Sequence, residues 1–338
     1  MNLKTTITPY SIQLKHPFGV SGHTRTSTPI VLLQLNYNGC TAYGEASLPP
    51  YLGVTQYDVI TFLHTINFEF IVNNSIEDVH AYLAQQPNVL MPAVCAIDIA
   101  WHDLHCQLHN TSIAQHYTID VTNMPQTTFT IGIDAPSTIA QKVQEANDFD
   151  LLKIKVGSAN DIALLNALKL ATNKPFMVDA NQGWTSIDEA ITLTHWLKTN
   201  GCYIIEQPFN KLNNSATAQL KQLNILPIIA DEAFQQIADL PAIATNYDGV
   251  NIKLMKCGGI YPALQIIKEA KKLNLQILLG SMNESSCAIL AAAHIAPLCH
   301  YADLDGPWLI TNNPFKNPTV AQGKIQLGNA TGLGLELV

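Results

Sequence analysis

Charge is what this sequence has least of. Only 13% of its 338 residues are Asp, Glu, Lys or Arg, about half the usual share in soluble proteins. Asn and Gln, 27 and 20 of them, carry much of the polarity instead. No run of Lys or Arg occurs and the net charge is −8, so a nucleic-acid partner, which must have its phosphates neutralised, is not expected. No apolar stretch approaches the roughly 18–20 residues a membrane helix needs; the richest, 287–296, is short and contains His294. The N-terminal MNLKTTITPY lacks the basic and then apolar pattern of a signal peptide. The seven cysteines (40, 95, 106, 202, 257, 287 and 299) are odd in number, scattered and without a CxxC. They read as small buried hydrophobes in a reducing, cytoplasmic setting rather than as a zinc ribbon or redox pair. At 47% apolar residues, the chain is not disordered by composition.

What is present divides into two grammars. Residues 1–50 alternate apolar and polar in short runs. Strands are expected at 5–14, 29–37 and 41–46, with Asn38-Gly39 as a hairpin signal. The segments 15–28 and 48–56, rich in Gly, Pro, Ser and Thr, read as loops. From 57 to about 110 the period is helical, clearest in 91–108. There Val94, Ile97, Asp98, Trp101, Leu104 and His105 form one stripe with a carboxylate embedded in it. This predicts an α+β unit over 1–124. After Pro125, eight apolar runs (127–133, 151–156, 176–179, 203–206, 228–231, 249–253, 277–280 and 301–303) alternate with amphipathic helical stretches. Such alternation implies parallel βα units, and eight strands argue for a closed barrel. An open doubly wound sheet would carry a Gly-rich phosphate turn after its first strand, and none is there. The barrel is expected over 125–314, with the tail from about 315 to 338 packing back on the first unit.

Five of the runs end in ionisable residues: Lys153 and Lys155, Asp179, Glu206, Asp231 and Lys253. Their spacings of 24, 27, 25 and 22 residues are one βα unit each. Residues at the C-terminal ends of barrel strands meet at one mouth, where active sites lie. A single Asp after a strand usually caps the next helix. Three carboxylates on consecutive strands, flanked by lysines, instead call for a cation, and oxygen ligands from separate rigid elements suit Mg²⁺. Lys153 and Lys155, at i and i+2, share a face, and Lys253 arrives four strands later, on the opposite wall. Two lysines on opposite sides of one carbon can take a proton from one face and return one to the other.

Together KIKVG at 153–157, VDANQGW at 178–184, EQP at 206–208, ADE at 230–232, NIKLMKCGG at 251–259 and DLDG at 303–306 resemble the enolase superfamily. The likeness is to its muconate-lactonizing-like branch and, most closely, to the dipeptide epimerases. It implies a modified TIM barrel, (β/α)7β, with an α+β capping domain. It implies Asp179, Glu206 and Asp231 as ligands of one Mg²⁺, Lys155 and Lys253 as the acid/base pair, and Lys153 as a helper at the substrate carboxylate. The reaction implied is a 1,1-proton transfer at the C-terminal α-carbon of a dipeptide, interconverting L-Ala-L-Glu and L-Ala-D-Glu in peptidoglycan-peptide metabolism. Asp303 and Asp305 would hold the substrate's ammonium group. Thr130 and the GSMNESS loop, with Ser281, Met282 and Asn283, would line the substrate. Arg25 and His23, in the capping loop, are the two candidates for an acidic side chain. A sibling cycloisomerase or o-succinylbenzoate synthase, or a metal-binding barrel without catalysis, are the alternatives, and both a monomer and a homo-oligomer remain open.

Overall fold

The computed structural model describes the backbone of residues 3–20 and 23–338, with side chains except at 18–20, 23 and 24. An antiparallel sheet in the order β1-β2-β3 opens the chain: β1 Lys4–Val20, β2 His23–Tyr37 and β3 Cys40–Ser47. Asn38 and Gly39 both take positive φ at the β2–β3 turn, 50° and 84°, as a two-residue hairpin turn of this hand requires. Residues 15–20 and 23–28, expected as loop, are strand. They continue the β1–β2 ladder, with Phe18 opposite Arg25 and Val20 opposite His23, after a register shift between Gln13 and Phe18. Composition misled here because backbone pairing, which Ser, Thr and Gly also support, overrides β-propensity.

Four helices follow: α1 Gln56–His64, α2 Phe68–Asn73, α3 Ile76–Ala84 and α4 Met91–Leu108. α4 is buried on nearly every side because it lies between two cores. Its Val94, Ile97, Ala100, Trp101 and Leu104 pack with Leu33, Leu35 and Ala42 of the sheet. Its Cys95, Ile99 and Cys106 join the larger core around the barrel. A helix apolar all round is a buried helix. After the one-turn helix α5 Ile113–His116, eight parallel strands follow with the expected alternation. They are β4 Thr128–Ile131, β5 Leu151–Lys155, β6 Phe176–Asp179, β7 Cys202–Glu206, β8 Ile228–Ala230, β9 Gly249–Lys253, β10 Gln276–Gly280 and β11 Tyr301–Asp303. They pair in sequence order, and a bridge between Thr127 and Ala302 brings the last strand beside the first.

Strand alternation then sets the interior. Met177, Ile204, Ile229 and Leu278, fully buried, fill a layer inside the barrel. Two residues further along their strands, the same face presents Asp179, Glu206 and Asp231, with Gly280 leaving room. The ladder aligns Lys155 with Asp179 and Asp179 with Glu206, and Lys253 with Gly280 and Gly280 with Asp303. A floor of hydrocarbon under a ring of charge is the result. The tail returns to the capping helices: Gly332 bridges Ser112, Leu333 N–H donates to Asp103 Oδ1 at 2.9 Å, and Phe315 meets Tyr43 edge-on. Among the described residues all seven cysteines are free, and no helix is long and apolar enough to cross a membrane.

At Gly44 of β3 an added Cβ would stand 1.8 Å from the Ala96 carbonyl oxygen of α4. Gly44→Ala should therefore destabilise the protein by at least about 2 kcal/mol, as overpacking against backbone does. Urea denaturation measures it.

Candidate active site

The ring of charge lines a cavity of about 620 Å³ at the C-terminal ends of the strands. The capping domain contributes Arg25, Tyr51 and Leu52 to its wall. One oxygen from each of Asp179, Glu206 and Asp231 lies within 4.8 Å of the others, all three residues buried. Their orientation is fixed by residues of the same motifs. Asn251 Nδ2 donates to Glu206 Oε1 at 2.7 Å. Gln207 turns its amide oxygen to the Asp231 and Ala233 N–H groups, 3.0 Å each, and donates to Phe209 O and Tyr247 Oη. Asn181 N–H donates to Asp179 Oδ1 at 2.9 Å.

Four lysines grip these carboxylates. Lys155 Nζ donates to Asp179 at 2.6 Å, and Lys253 Nζ to Asp231 at 2.7 Å. They stand on β5 and β9, on opposite walls of the eight-stranded barrel. Lys153 Nζ sits among Glu206 (2.7 Å), Asp303 (2.8 Å) and Asp179 (3.0 Å). Lys256 Nζ is 2.8 Å from Asp231 Oδ1 and also donates to the carbonyls of Asp231, Phe234 and Asn251. Burial lowers both Lys253 and Lys256, yet the outcomes differ. At Lys253 burial is the largest influence, but Asp231, Tyr51 and Glu206 together outweigh it and raise the ammonium, whereas at Lys256 burial wins and the ammonium falls below its ordinary value.

Carboxylates crowd the site. Asp179, Glu206, Asp231, Glu232, Asp303 and Asp305 share it with Lys153, Lys155, Lys253 and Lys256, and Arg25 and Lys211 reach the same cavity. Burial pushes Asp179 up, but Lys155 and Lys153 outweigh it and hold the acid below its ordinary value. Glu206, pushed up first by burial and then by Asp179, shows the opposite. Its Oε2 faces Lys153 at 2.7 Å without a well-directed hydrogen bond. A divalent cation fits this site on the structure's own terms: three converging buried carboxylates and a buried carboxylate oxygen lacking a directed donor.

Asp303 and Asp305 both line the cavity. Thr128 Oγ1 donates to Asp303 Oδ1 at 2.6 Å, while Lys153 holds its other oxygen. Asp305 accepts from the Thr130 N–H at 2.5 Å and is pushed up by burial and by Asp303. Thr130, Ser281, Met282 and Asn283 are at the wall, and Ser281 Oγ donates to Asp303 O. Arg25 reaches the cavity, donating to Asn283 Oδ1 at 2.6 Å with its guanidinium 6.0 Å from the Tyr51 ring centroid. The side chain of His23 lies outside the described residues. Tyr51, Asn181, Gln182, Lys211, Glu232, Gln235 and Lys256 also line the cavity and were not singled out by sequence. Asn181, Gln182, Glu232 and Lys256 sit inside the quoted motifs, so the motifs held that signal. Tyr51 and Lys211, on connecting segments, carried none.

Residues 137–338 match the enolase C-terminal domain-like family, and residues 2–116 match the mandelate racemase / muconate lactonizing enzyme N-terminal domain. The chain belongs to the enolase superfamily. It is 40% identical over 335 residues to the L-Ala-D/L-Glu epimerase of Bacteroides thetaiotaomicron, covering 98% of this chain and 88% of that one. Its structure is similar to a substrate-liganded complex of the L-Ala-D/L-Glu epimerase from Bacillus subtilis, with TM-score 0.89, 25% identity and 99% of each chain covered. It is equally similar to the dipeptide epimerase from Enterococcus faecalis V583 complexed with Mg and L-Leu-L-Tyr. There the TM-score is 0.89 and the identity 29%, over 99% of this chain and 100% of that one. The enolase-superfamily frame thus accounts for the fold, a near-closed parallel barrel under an antiparallel cap.

The loop that carries Met282 and Asn283 is tied to the cap by a second acidic pair. Glu45 of β3 accepts from Ser285 N–H at 2.9 Å and from its hydroxyl, and Ser47 Oγ donates to Asn283 O at 2.7 Å. Glu284 beside it is fully buried, and burial, with Glu45 adding to it, pushes its carboxyl up to about 8 from an ordinary 4.5. The folded protein therefore keeps a proton there that the unfolded chain loses between those values, so stability falls as pH rises through this window. Glu206, Glu232 and Asp305 are pushed up in the same range, so Glu284→Gln should reduce the slope by the share of Glu284, at most about 1.4 kcal/mol per pH unit. Denaturation midpoints compared from pH 5 to 8 measure it.

Proposed function

We propose that this protein is a Mg²⁺-dependent dipeptide epimerase that inverts the α-carbon of the C-terminal residue, with L-Ala-L-Glu and L-Ala-D-Glu as its substrates. The observation that carries this reading is the placement of Lys155 and Lys253 on opposite walls of the barrel, each beside a member of the carboxylate trio. In this reading Asp179, Glu206 and Asp231 hold the Mg²⁺, which when bound supplies a Lewis acid for the substrate carboxylate.

The chain's own residues do the remainder. One of Lys155 and Lys253 takes the α-proton while the other delivers a proton to the opposite face, and which one starts depends on the epimer that binds. A base must be neutral before it can act. The hold of Asp179 and Asp231 on these ammoniums opposes that, and it weakens once the carboxylates turn to a cation. Lys153, fixed between Glu206 and Asp303, offers a preorganised positive charge for the negative charge that develops on the substrate carboxylate. Asp305 and Asp303 receive the substrate's ammonium. The hold of Lys153 and Thr128 on Asp303 leaves Asp305 the less committed of the two. Arg25 is the cation for an acidic side chain, positioned by Asn283 and Tyr51. The near-full-length likeness to the L-Ala-D/L-Glu epimerase of Bacteroides thetaiotaomicron supports this choice of dipeptide.

With Mg²⁺ in D₂O, proton NMR should show loss of the glutamate α-proton signal from both L-Ala-L-Glu and L-Ala-D-Glu. Lys155→Ala and Lys253→Ala should each lower epimerisation by about 10²–10⁴-fold, and each should keep exchange of only one epimer. Absence of exchange with these and with a panel of other dipeptides would sink the reading. Asp305→Asn should cost at least about tenfold in kcat/KM, as loss of a hydrogen bond to a charged group does. A sibling cycloisomerase or synthase, whose substrate has no ammonium group, would be indifferent to that change.

A further inference from the structure

Asp98, the carboxylate in the middle of the apolar stripe of α4, has no part in the site just described, yet its side chain is fully buried. A buried carboxylate is costly unless it is paired and hydrogen-bonded, so its partners matter. It accepts from the Ile260 N–H at 2.5 Å and from the Tyr261 N–H at 3.2 Å, 162 and 163 residues away. These are the first amides of the barrel helix Ile260–Lys272, orphan donors of a helix N-terminus that favour a negative charge. His80 Nε2 is 2.8 Å from Oδ2, and His102 Nδ1 is 3.3 Å from Oδ1 while donating to the Asp98 carbonyl. His102 Nε2 in turn meets Tyr117 Oη at 2.7 Å. Burial pushes the carboxyl up, but His102 and His80 outweigh it and hold it well below the usual carboxylate range.

The glycine pair of the NIKLMKCGG motif is what lets the carboxylate in. Gly259 has φ of 121°, and a Cβ there would lie 2.3 Å from the Asp98 carboxyl carbon. A Cβ on Gly258 would stand 3.1 Å from Val94, one turn earlier on the same face of α4. The segment between strand β9 and this contact is short. Lys253 ends β9, the one-turn helix Leu254–Cys257 follows, and the Gly258 and Gly259 amides both return to Leu254 O, at 2.9 and 3.0 Å. That turn also carries Met255, whose sulfur receives the Ser47 N–H of the capping sheet at 3.3 Å, and Lys256, which holds Asp231.

We infer that Asp98 is a positioning residue for the Lys253 side of the reaction. From the capping domain it clamps the start of the Ile260–Lys272 helix and so fixes the turn through which Lys253 and Lys256 both grip Asp231. No such clamp from Asp98 reaches β5, where Lys155 stands. The inference rests on the proposed two-lysine epimerase.

Its test separates the two faces of the reaction. The Lys155→Ala and Lys253→Ala variants first assign which epimer each lysine deprotonates. Exchange of each epimer in D₂O is then followed in Asp98→Asn. Exchange begun by Lys253 should fall on the order of ten- to a hundredfold, the scale of small misplacements of a catalytic group, while exchange begun by Lys155 stays within a few-fold. His80→Gln, which leaves the helix contacts of Asp98 in place, should show a smaller loss with the same asymmetry, and it carries the test if Asp98→Asn does not fold. An equal loss for both epimers, or no loss in a folded variant, overturns the inference. Wild-type protein that exchanges neither epimer overturns the epimerase reading itself.

Discussion

Buried carboxylates crowded against lysines govern this molecule. Asp179, Glu206, Asp231 and Asp303 are paired with Lys153, Lys155, Lys253 and Lys256 at the mouth of one barrel, over a floor formed by Met177, Ile204, Ile229 and Leu278. Each of these groups lies within 3.0 Å of an opposite charge, and Lys153 touches three acids. Glu206, pushed up by burial and then by Asp179, holds a proton more tightly than an ordinary carboxyl. A site built this way is costly to fold and poised for a cation, as buried like charges require.

The rest of the fold can be understood as what holds that arrangement still. Rigid strands supply the charges, and side-chain amides aim them: Asn251 for Glu206 and Gln207 for the backbone that carries Asp231. The capping domain does more than cover the mouth. Through Glu45 and Ser47 it holds the loop of Met282 and Asn283, and through Asp98 it holds the turn after Lys253. The first contact runs directly from the sheet to the barrel loop and the second from α4, which shares its faces between the two cores. A helix in that position transmits displacement because packed interiors have little room to absorb it.

Much of this was legible in the sequence, for a physical reason. Barrel strands have period two and end at a common face, so Lys155, Asp179, Glu206, Asp231 and Lys253 announced themselves as scarce charges at regular spacing in apolar runs. The eight-strand alternation was equally plain. Asp98 stood out in its stripe, but its partners lie on a helix 162 residues away, and no local pattern encodes such a pairing. The long β1–β2 hairpin was hidden by loop-like composition, since its strands are held by backbone pairing. Tyr51 and Lys211 reach the cavity from connecting segments, where neither period nor motif marks a direction.

The converging trio of Asp179, Glu206 and Asp231 should take up one divalent cation. Isothermal titration of metal-free protein with Mg²⁺, without substrate, measures this uptake. One ion should bind per chain, binding should be lost in Glu206→Gln, and it should persist in Asp305→Asn, whose carboxylate lies toward the ammonium end of the cavity. A wild-type protein that takes up no Mg²⁺, or a Glu206→Gln variant that binds it as well as wild type, would contradict the account.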